Sequence, residues 1–380
     1  MTAAPANLKP LTSLRFAAAM WVVVYHYWPA LTAAAMPGLV AKGYLGVELF
    51  FVLSGFILSH VYLQSFGDGG FRYGSFLWAR LARIYPLHLA TLAGLGLLIG
   101  GAALLGVKAG DQVLILSSLP AQLTLTQAWG LAPHGGWNHP SWSISAEWFA
   151  YLTFPAFAWV AWRLRARPRL AVALALCLIA ALDLGFERLA GFPLTRATIA
   201  WGALRIVPCF AYGCAIHLLW RAGKAEDRLV AVIRAAGFLL GVVLAAAAGD
   251  SDAVSIALFG GLIFSLAALS RSGSRLMSSR LGVYLGEVSF AVYMVCIPWE
   301  LAFTGLVQKM LHLANGPLPW PLWPVMLAGV VLVAMLAHHV VERPARAAMR
   351  AWEKTGFRLD AASPLRAREG LVSEGLVSES

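Results

Sequence analysis

Residues 43–63 read GYLGVELFFVLSGFILSHVYL, an apolar run whose one acidic or basic side chain, apart from His60, is Glu48. A helix of about 20 residues spans the roughly 30 Å of bilayer hydrocarbon, so this run predicts a transmembrane helix. The rest of the 380 residues is similar, with 60% hydrophobic and only 12% charged residues. Ordinary soluble proteins are about 25% charged. The composition therefore predicts an integral membrane protein and excludes a disordered chain or a coiled coil.

Apolar runs separated by glycine, proline and charged residues predict ten spans in total. They lie near residues 11–31, 43–63, 84–106, 142–162, 170–186, 198–219, 229–248, 253–270, 283–306 and 323–342. The predicted fold class is all-α, a polytopic membrane protein with about ten transmembrane helices. We expect residues 1–354 to form the transmembrane domain and residues 355–380 a disordered, cytoplasmic tail. The longest loop, about residues 107–141, is predicted to lie outside, and loops of this length often carry function.

The basic residues predict the orientation of the chain, because Lys and Arg concentrate in cytoplasmic loops. Sixteen lie on the side that holds both termini: Arg72, Arg80, Arg83, Arg163, Arg165, Arg167, Arg169, Arg221, Lys224, Arg228, Arg271, Arg275, Arg280, Arg343, Arg346 and Arg350. The opposite loops hold five: Lys42, Lys108, Arg188, Arg196 and Lys309. Both termini are therefore predicted to be cytoplasmic. The net charge of +11 follows from this distribution, and we expect no nucleic-acid partner.

The four cysteines, Cys177, Cys209, Cys214 and Cys296, all fall within apolar runs. Cysteines in such positions usually behave as small buried hydrophobic residues. The sequence therefore predicts neither a disulfide nor a metal site.

Ionisable side chains within a span are costly and usually functional. Arg15 and His26 are eleven residues apart in the first span, so they share one helix face about 16 Å apart. Arg15 taken alone also suits a cytoplasmic anchor whose head group reaches the interface. For His26 the alternative is a core histidine bonded to a backbone carbonyl.

Two acidic residues are predicted near the depth of His26. Glu48 and Glu147 each lie about 8 Å below the outer ends of the second and fourth spans, counted at 1.5 Å per residue. A histidine between two carboxylates is typical of general base catalysis. The alternative is that either glutamate caps its helix near the positive end of the helix dipole.

Three further residues are candidates. Arg80 and Arg83 are three residues apart, so on a helix they share a face and can grip a polyphosphate, although anchoring at the cytoplasmic face explains them equally well. Ser143 suits a helix cap better than a nucleophile.

Five motifs, in order along the chain, resemble those of the membrane-bound acyltransferase 3 family, bacterial O-acyltransferases that modify cell-surface glycans and some antibiotics. They are Arg15 through His26, Gly46 to Phe56, Arg80-Leu81-Ala82-Arg83, Ser143 to Glu147, and Val341-Glu342-Arg343-Pro344. The chain departs from the family at Cys296, where many members carry histidine.

The resemblance implies a donor, an acceptor and a location. The donor is cytoplasmic acyl-CoA, most often acetyl-CoA, and the acceptor is a hydroxyl, usually on a cell-surface or exported glycan. The location is the inner membrane. We expect Arg15, Arg80 and Arg83 to hold the CoA phosphates and His26 to act as general base, oriented by Glu147. Glu48 and Ser143 are weaker candidates for supporting roles.

Two alternatives stay open. In the first alternative, the protein is still an acyltransferase, but its acceptor is a macrolide-like or lipid hydroxyl. In the second, the protein is a transporter or flippase of a surface glycan or lipid. In a transporter the arginines would be anchors, and the intramembrane His and Glu residues would relay protons.

Overall fold

The computed structural model describes residues 8–104, 113–132, 134–223, 227–272, 276–312 and 316–361. These residues form helices and no strands, which confirms the all-α fold class. The α-helices are α1 Lys9–Leu31, α2 Gly38–Ala41, α3 Gly46–Gly67, α4 Tyr73–Leu104, α5 Leu119–Leu123, α6 Trp142–Leu152, α7 Phe154–Arg163, α8 Pro168–Ala190, α9 Gly202–Ala222, α10 Arg228–Ala248, α11 Asp252–Arg271, α12 Arg280–Met310, α13 Trp323–Ala337 and α14 Arg343–Ala361. A π-helical turn, His338–Glu342, joins α13 to α14.

Among the described residues, eight helical segments are long and apolar enough to cross a membrane. They are Gly43–Gly67, Tyr73–Leu104, Pro168–Ala190, Gly202–Ala222, Arg228–Ala248, Asp252–Arg271, Arg280–Met310 and Trp320–Glu353. The two other predicted spans are α1, whose charged and aromatic residues lower its mean hydropathy, and the pair α6 and α7. Thr153 separates α6 from α7 because Pro155 follows and has no N–H to continue the helical hydrogen bonds. The chain is a polytopic helical membrane protein.

The helices α3 and α9 pack with their backbones in close contact. A Cβ atom added to Gly55 would overlap the carbonyl oxygen of Phe210, and one added to Gly213 would overlap the carbonyl of Val52 and lie 2.8 Å from the nitrogen of Phe56. Small residues permit such close approach between membrane helices, where van der Waals packing drives association. This pair forms the centre of the bundle.

The loop before α6 folds into the bundle instead of lying wholly outside it. Gln122, Gln127, Asn138 and Ser141 are all buried. Ser141 Oγ donates to Gln122 Oε1 at 3.0 Å, and Gln127 Nε2 donates to the carbonyl of Ser141 at 3.0 Å. Asn138 Nδ2 donates to the carbonyl of Met294, near the middle of α12, at 2.7 Å. Buried polar groups need such partners, and they fix the start of α6 inside the protein.

Two predictions about the chain ends and loops are not tested. The predicted tail boundary at residue 355 falls within α14, and residues 362–380 lie outside the described residues. Lys108, Lys224 and Arg275 of the charge count also lie outside them. The cytoplasmic location of both termini stays a prediction.

The contact between α3 and α9 predicts that Gly213→Ala destabilises the protein. The added methyl group must push backbone atoms apart, and overpacking of this kind typically costs about 1–3 kcal/mol. Gly94→Ala in α4 is the matched control, because a Cβ there meets nothing within 4 Å. Thermal unfolding of the purified variants in detergent measures the difference. Equal unfolding midpoints for the two variants would show that the backbones do not meet at Gly213.

Candidate functional site

A cavity of about 220 Å³ lies between α1, α3, α4, α6 and α12. It is lined by five of the seven predicted site residues, namely Arg15, Arg80, Arg83, Ser143 and Glu147. These five residues come from three separate motifs and meet at one cavity, although they are spread over more than 130 positions of the chain. His26 and Glu48 are not among its lining residues.

The guanidinium groups in this cavity rest on aromatic rings. Arg15 lies 6.0 Å from the ring centre of Phe50, and Arg80 lies 5.8 Å from that of Tyr62 and 6.0 Å from that of Tyr151. Such contacts hold a cation in place without consuming its N–H donors. Within the described parts of the chain, the buried Nε atoms of Arg15 and Arg80 have no hydrogen-bond partner. Because buried donors are normally satisfied, these two groups suit an anionic ligand.

Arg83, which is partly buried, is also part of an ion pair. It donates to Glu342, which lies in the π-helical turn, and His338 Nδ1 contacts the other carboxylate oxygen of Glu342 at 2.9 Å. Its guanidinium lies 5.2 Å from the ring centre of Phe290. The motif near residue 342 thus contacts the motif near residue 80, and π-turns of this kind often occur at functional sites.

Arg346, a basic residue of the predicted cytoplasmic side, belongs to the same charged cluster. The positive charges of Arg80, Arg83 and Arg350 act on it, as does the negative charge of Glu342. The sequence indicates this position of Arg346, since Glu342, Arg346 and Arg350 are spaced four residues apart and so share one helix face.

Glu147 faces the cavity and not His26. It accepts a hydrogen bond from Ser54 Oγ at 2.8 Å, it lies close to the Tyr151 hydroxyl, and its charge attracts Arg15. The prediction that Glu147 orients His26 is therefore wrong. The depth estimate failed because it counted Glu147 from the outer face, whereas α6 begins inside the bundle.

Glu48 likewise does not contact His26, because its carboxylate pairs with Arg205. Its Oε1 accepts from Arg205 Nε at 2.5 Å, and the two side chains are 0% and 3% exposed. Arg205 also lies 4.5 Å from the ring centre of Trp142 and donates to the carbonyl of Ala197 at 2.8 Å. Glu48 joins α3 to α9, which corrects its prediction as a partner of His26. Arg205 is itself an ionisable residue within a predicted span, so the rule that selected Glu48 also selects it.

His26 is half-buried, and its tautomer is set by its own helix. Its Nδ1 lies 2.9 Å from the carbonyl oxygen of Val22. A carbonyl can only accept, so Nδ1 carries the proton and Nε2 presents a lone pair. The ring of Tyr25 packs edge-on at 5.2 Å, and His139 is near enough that protonation of either imidazole disfavours protonation of the other. The backbone contact matches the core-histidine alternative, but it also leaves Nε2 suited to accept a proton.

Ser143 lies at one end of the cavity and does not cap α6. Its Oγ lies 2.8 Å from the hydroxyl of Tyr293 and 3.1 Å from the carbonyl of Pro140, and Tyr293 also donates to that carbonyl at 2.9 Å. Within the described residues, no histidine or carboxylate is bonded to Ser143. The cap prediction is wrong because Ser141 occupies the N-cap position of α6.

The cysteines differ from each other in burial. Cys209, Cys214 and Cys296 are buried, whereas Cys177 on α8 is exposed, contrary to prediction. The carbonyl of Cys296 accepts from the Tyr27 hydroxyl at 2.7 Å, which ties α12 to α1. No group of three or more His, Cys, Asp or Glu side chains suited to a metal occurs in the described parts of the chain.

The family model for the acyltransferase domain of the acyltransferase 3 family matches residues 10–339. The chain belongs to this family. It is 30% identical to acyltransferase MdmB of Streptomyces mycarofaciens, over 89% of this chain and 91% of that protein. It is 24% identical to the putative peptidoglycan O-acetyltransferase YrhL of Bacillus subtilis, over 88% of this chain and 54% of that longer protein.

A shorter match reaches protein 2 in the picA locus of Rhizobium radiobacter, with 51% identity over 53 residues, or 14% of this chain and 28% of that protein. No solved structure matches the chain. Family membership and the apolar helices together identify the protein as a multi-pass membrane O-acyltransferase.

The ion pair at the cavity predicts unequal effects of two substitutions. Arg83→Ala leaves the carboxylate of Glu342 buried without its cation, and breaking such a pair typically costs about 3–5 kcal/mol. Adding Glu342→Gln removes the stranded charge, so the double variant should unfold at a higher temperature than Arg83→Ala alone. Unfolding midpoints of the two single variants and the double variant form the test. Additive losses would show that the two side chains do not interact.

Proposed function

We propose that the protein transfers an acyl group, most simply acetyl, from cytoplasmic acyl-CoA to a hydroxyl of a cell-surface or exported glycan. In this proposal it acts in the inner membrane, with both termini in the cytoplasm. The observation that carries the proposal is the cavity in which Arg15, Arg80 and Arg83 lie among apolar walls.

The charges of the cavity suit this donor. Three guanidinium groups and one carboxylate line it, so the lining carries a net positive charge that attracts phosphate. The walls include Phe50, Phe51 and Phe290, which suit the less polar pantetheine arm. The thioester thereby enters the bundle while the charged part of CoA stays at the arginines.

The route from the cavity toward His26 runs through hydrogen bonds at Pro140 and then past His139. Ser143 and Tyr293 line the cavity and both contact the carbonyl of Pro140. The neighbouring residue His139 lies within electrostatic range of His26. On α1, the lining residues end at Arg15, and His26 lies three turns further along the same face.

The proposed reaction is a direct transfer. His26 Nε2 removes the proton from the acceptor hydroxyl, whose oxygen attacks the thioester carbonyl. The C–O bond forms, the C–S bond breaks, and the thiolate of CoA takes up the proton from the imidazolium. Neither a metal nor an external oxidant is needed, since the thioester is already activated.

In this scheme Glu147 and Glu48 act at a distance from His26. Glu147 holds Arg15 and Tyr151 at the cavity, and Glu48 fixes α3 against α9 through Arg205. Both therefore act as positioning residues, and Glu147 contributes to the donor side.

The glycan acceptor is supported by the name of one relative, the putative peptidoglycan O-acetyltransferase YrhL. A macrolide-like or lipid hydroxyl is the alternative acceptor. A transporter would bind acyl-CoA without cleaving it, so release of free CoA thiol by the purified protein separates the two classes of function.

The proposed base predicts that His26→Ala lowers acyl transfer by about 10²–10⁴-fold, the usual contribution of a general base. The stability of the protein and its affinity for CoA should stay unchanged, because His26 does not line the donor cavity. His139→Ala is the matched control, since it removes the neighbouring imidazole and should leave most of the activity.

The measurement has two parts. Mass spectrometry of surface glycans from cells that carry the wild type, His26→Ala or His139→Ala reports the acyl esters. Release of CoA thiol from acetyl-CoA by the purified variants reports turnover. Near-normal transfer by the His26→Ala variant would contradict the role of His26 as general base. His139 or Ser143 would then be the candidate for that role.

A further inference from the structure

A second cavity lies beside the arginine cluster, between the end of α3, the start of α4 and the face of α14. It has a volume of about 440 Å³, and we call it the α14 crevice. Tyr62, Phe71 and Phe76 supply aromatic rings to its wall. Gly70 and Ala79, which carry little or no side chain, leave the open space. The crevice has no role in the family motifs described above.

The electrostatics of the α14 crevice favour an anion. Arg72 and Arg350 line it, together with Ser75 in the first turn of α4. That turn contains no acidic residue, so its N–H groups and the helix dipole present positive charge. Glu353 lines the same crevice and as a carboxylate can accept hydrogen bonds from an amino group.

Contacts between α14 and α4 hold Arg350 at this position. Trp78 Nε1 donates to the carbonyl of Met349 at 2.8 Å, and the rings of Trp78 and Trp352 lie 4.9 Å apart. Arg350 lies between these two contacts in sequence. The packing of α14 against α4 therefore fixes the position of Arg350.

The α14 crevice and the donor cavity are adjacent. Arg80 lines the cavity, and its guanidinium lies 5.8 Å from the ring centre of Tyr62, which lines the crevice. Arg346 experiences the charges of both Arg80 and Arg350. Arg346 therefore lies between the crevice and the cavity, with Arg80, Arg83 and Arg350 on the positive side and Glu342 on the negative side of its surroundings.

We infer that the α14 crevice binds the nucleotide half of the acyl-CoA donor, the adenosine 3′,5′-bisphosphate moiety. Aromatic rings suit a purine base, and arginines suit its phosphates. The pyrophosphate then lies near Arg346 and Arg80, and the pantetheine arm enters the donor cavity. This inference rests on the proposed acyl-CoA donor and adds Arg350 and the rings of the crevice to the residues that bind it.

The test combines a shortened ligand with a substitution. CoA contains the nucleotide, whereas 4′-phosphopantetheine has the same arm without it. Dissociation constants of both ligands are measured by calorimetry for the purified full chain in phosphatidylcholine nanodiscs. Arg350→Ala should weaken CoA binding roughly ten-fold, because a hydrogen bond to a charged group is lost, and should leave binding of phosphopantetheine unchanged. Ala79→Phe, which fills the crevice, should have the same selective effect.

Arg169→Ala is the charge-matched control, since Arg169 is exposed in the first turn of α8 and lines neither cavity. It should bind both ligands as the wild type does. Unchanged CoA affinity in both Arg350→Ala and Ala79→Phe overturns the inference, whether the crevice then takes an anionic lipid or no ligand. The inference is also overturned if Arg350→Ala and Ala79→Phe weaken the binding of CoA and of 4′-phosphopantetheine equally. A wild-type protein that binds neither ligand would instead contradict the proposed acyl-CoA donor itself.

Discussion

Arginines buried in an apolar bundle need partners, because an isolated charge in a medium of low dielectric constant is strongly destabilised. Two of them have carboxylates: Arg205 pairs with Glu48, and Arg83 pairs with Glu342. Arg15 and Arg80 instead rest on aromatic rings, and among the residues that the structure describes their buried Nε donors have no hydrogen-bond partner. The paired arginines hold helices together, and Arg15 and Arg80 line the cavity that we propose binds an anionic donor.

Much of this could be predicted from the sequence, and the reasons are physical. Apolar length alone predicts most of the spans, since the bilayer thickness fixes how many residues a helix needs. The choice of Arg15, Arg80 and Glu147 as candidate site residues followed from the cost of an ionisable residue in a span and from helical spacing, although Glu147 was expected beside His26. Pairing between distant helices could not be predicted this way. Nothing in the local sequence of Glu48 shows that its partner is Arg205, 157 residues away.

The error over Glu147 has one cause, the course of the chain before α6. Counting residues from an assumed outer boundary gives a depth only if the helix starts at that boundary. Here Asn138 bonds to the middle of α12, so the loop enters the bundle and α6 begins inside it. As a result Glu147 lies with Arg15 and Ser54, while His26 has the carbonyl of Val22 as its partner. In the mechanism that we propose, donor binding and base catalysis therefore lie in two neighbouring regions.

The central claim is that the acyl group travels from the arginine-lined cavity toward His26 along α1. Photo-crosslinking with a CoA thioester that carries a diazirine in its acyl chain, followed by peptide mass spectrometry, tests this claim most directly. The account predicts labelled residues in α1 between Arg15 and His26 and in the first turns of α6, with labelling suppressed by excess CoA. Labels confined to the outward-facing surfaces of α8 and α10, or left unchanged by CoA, would contradict it.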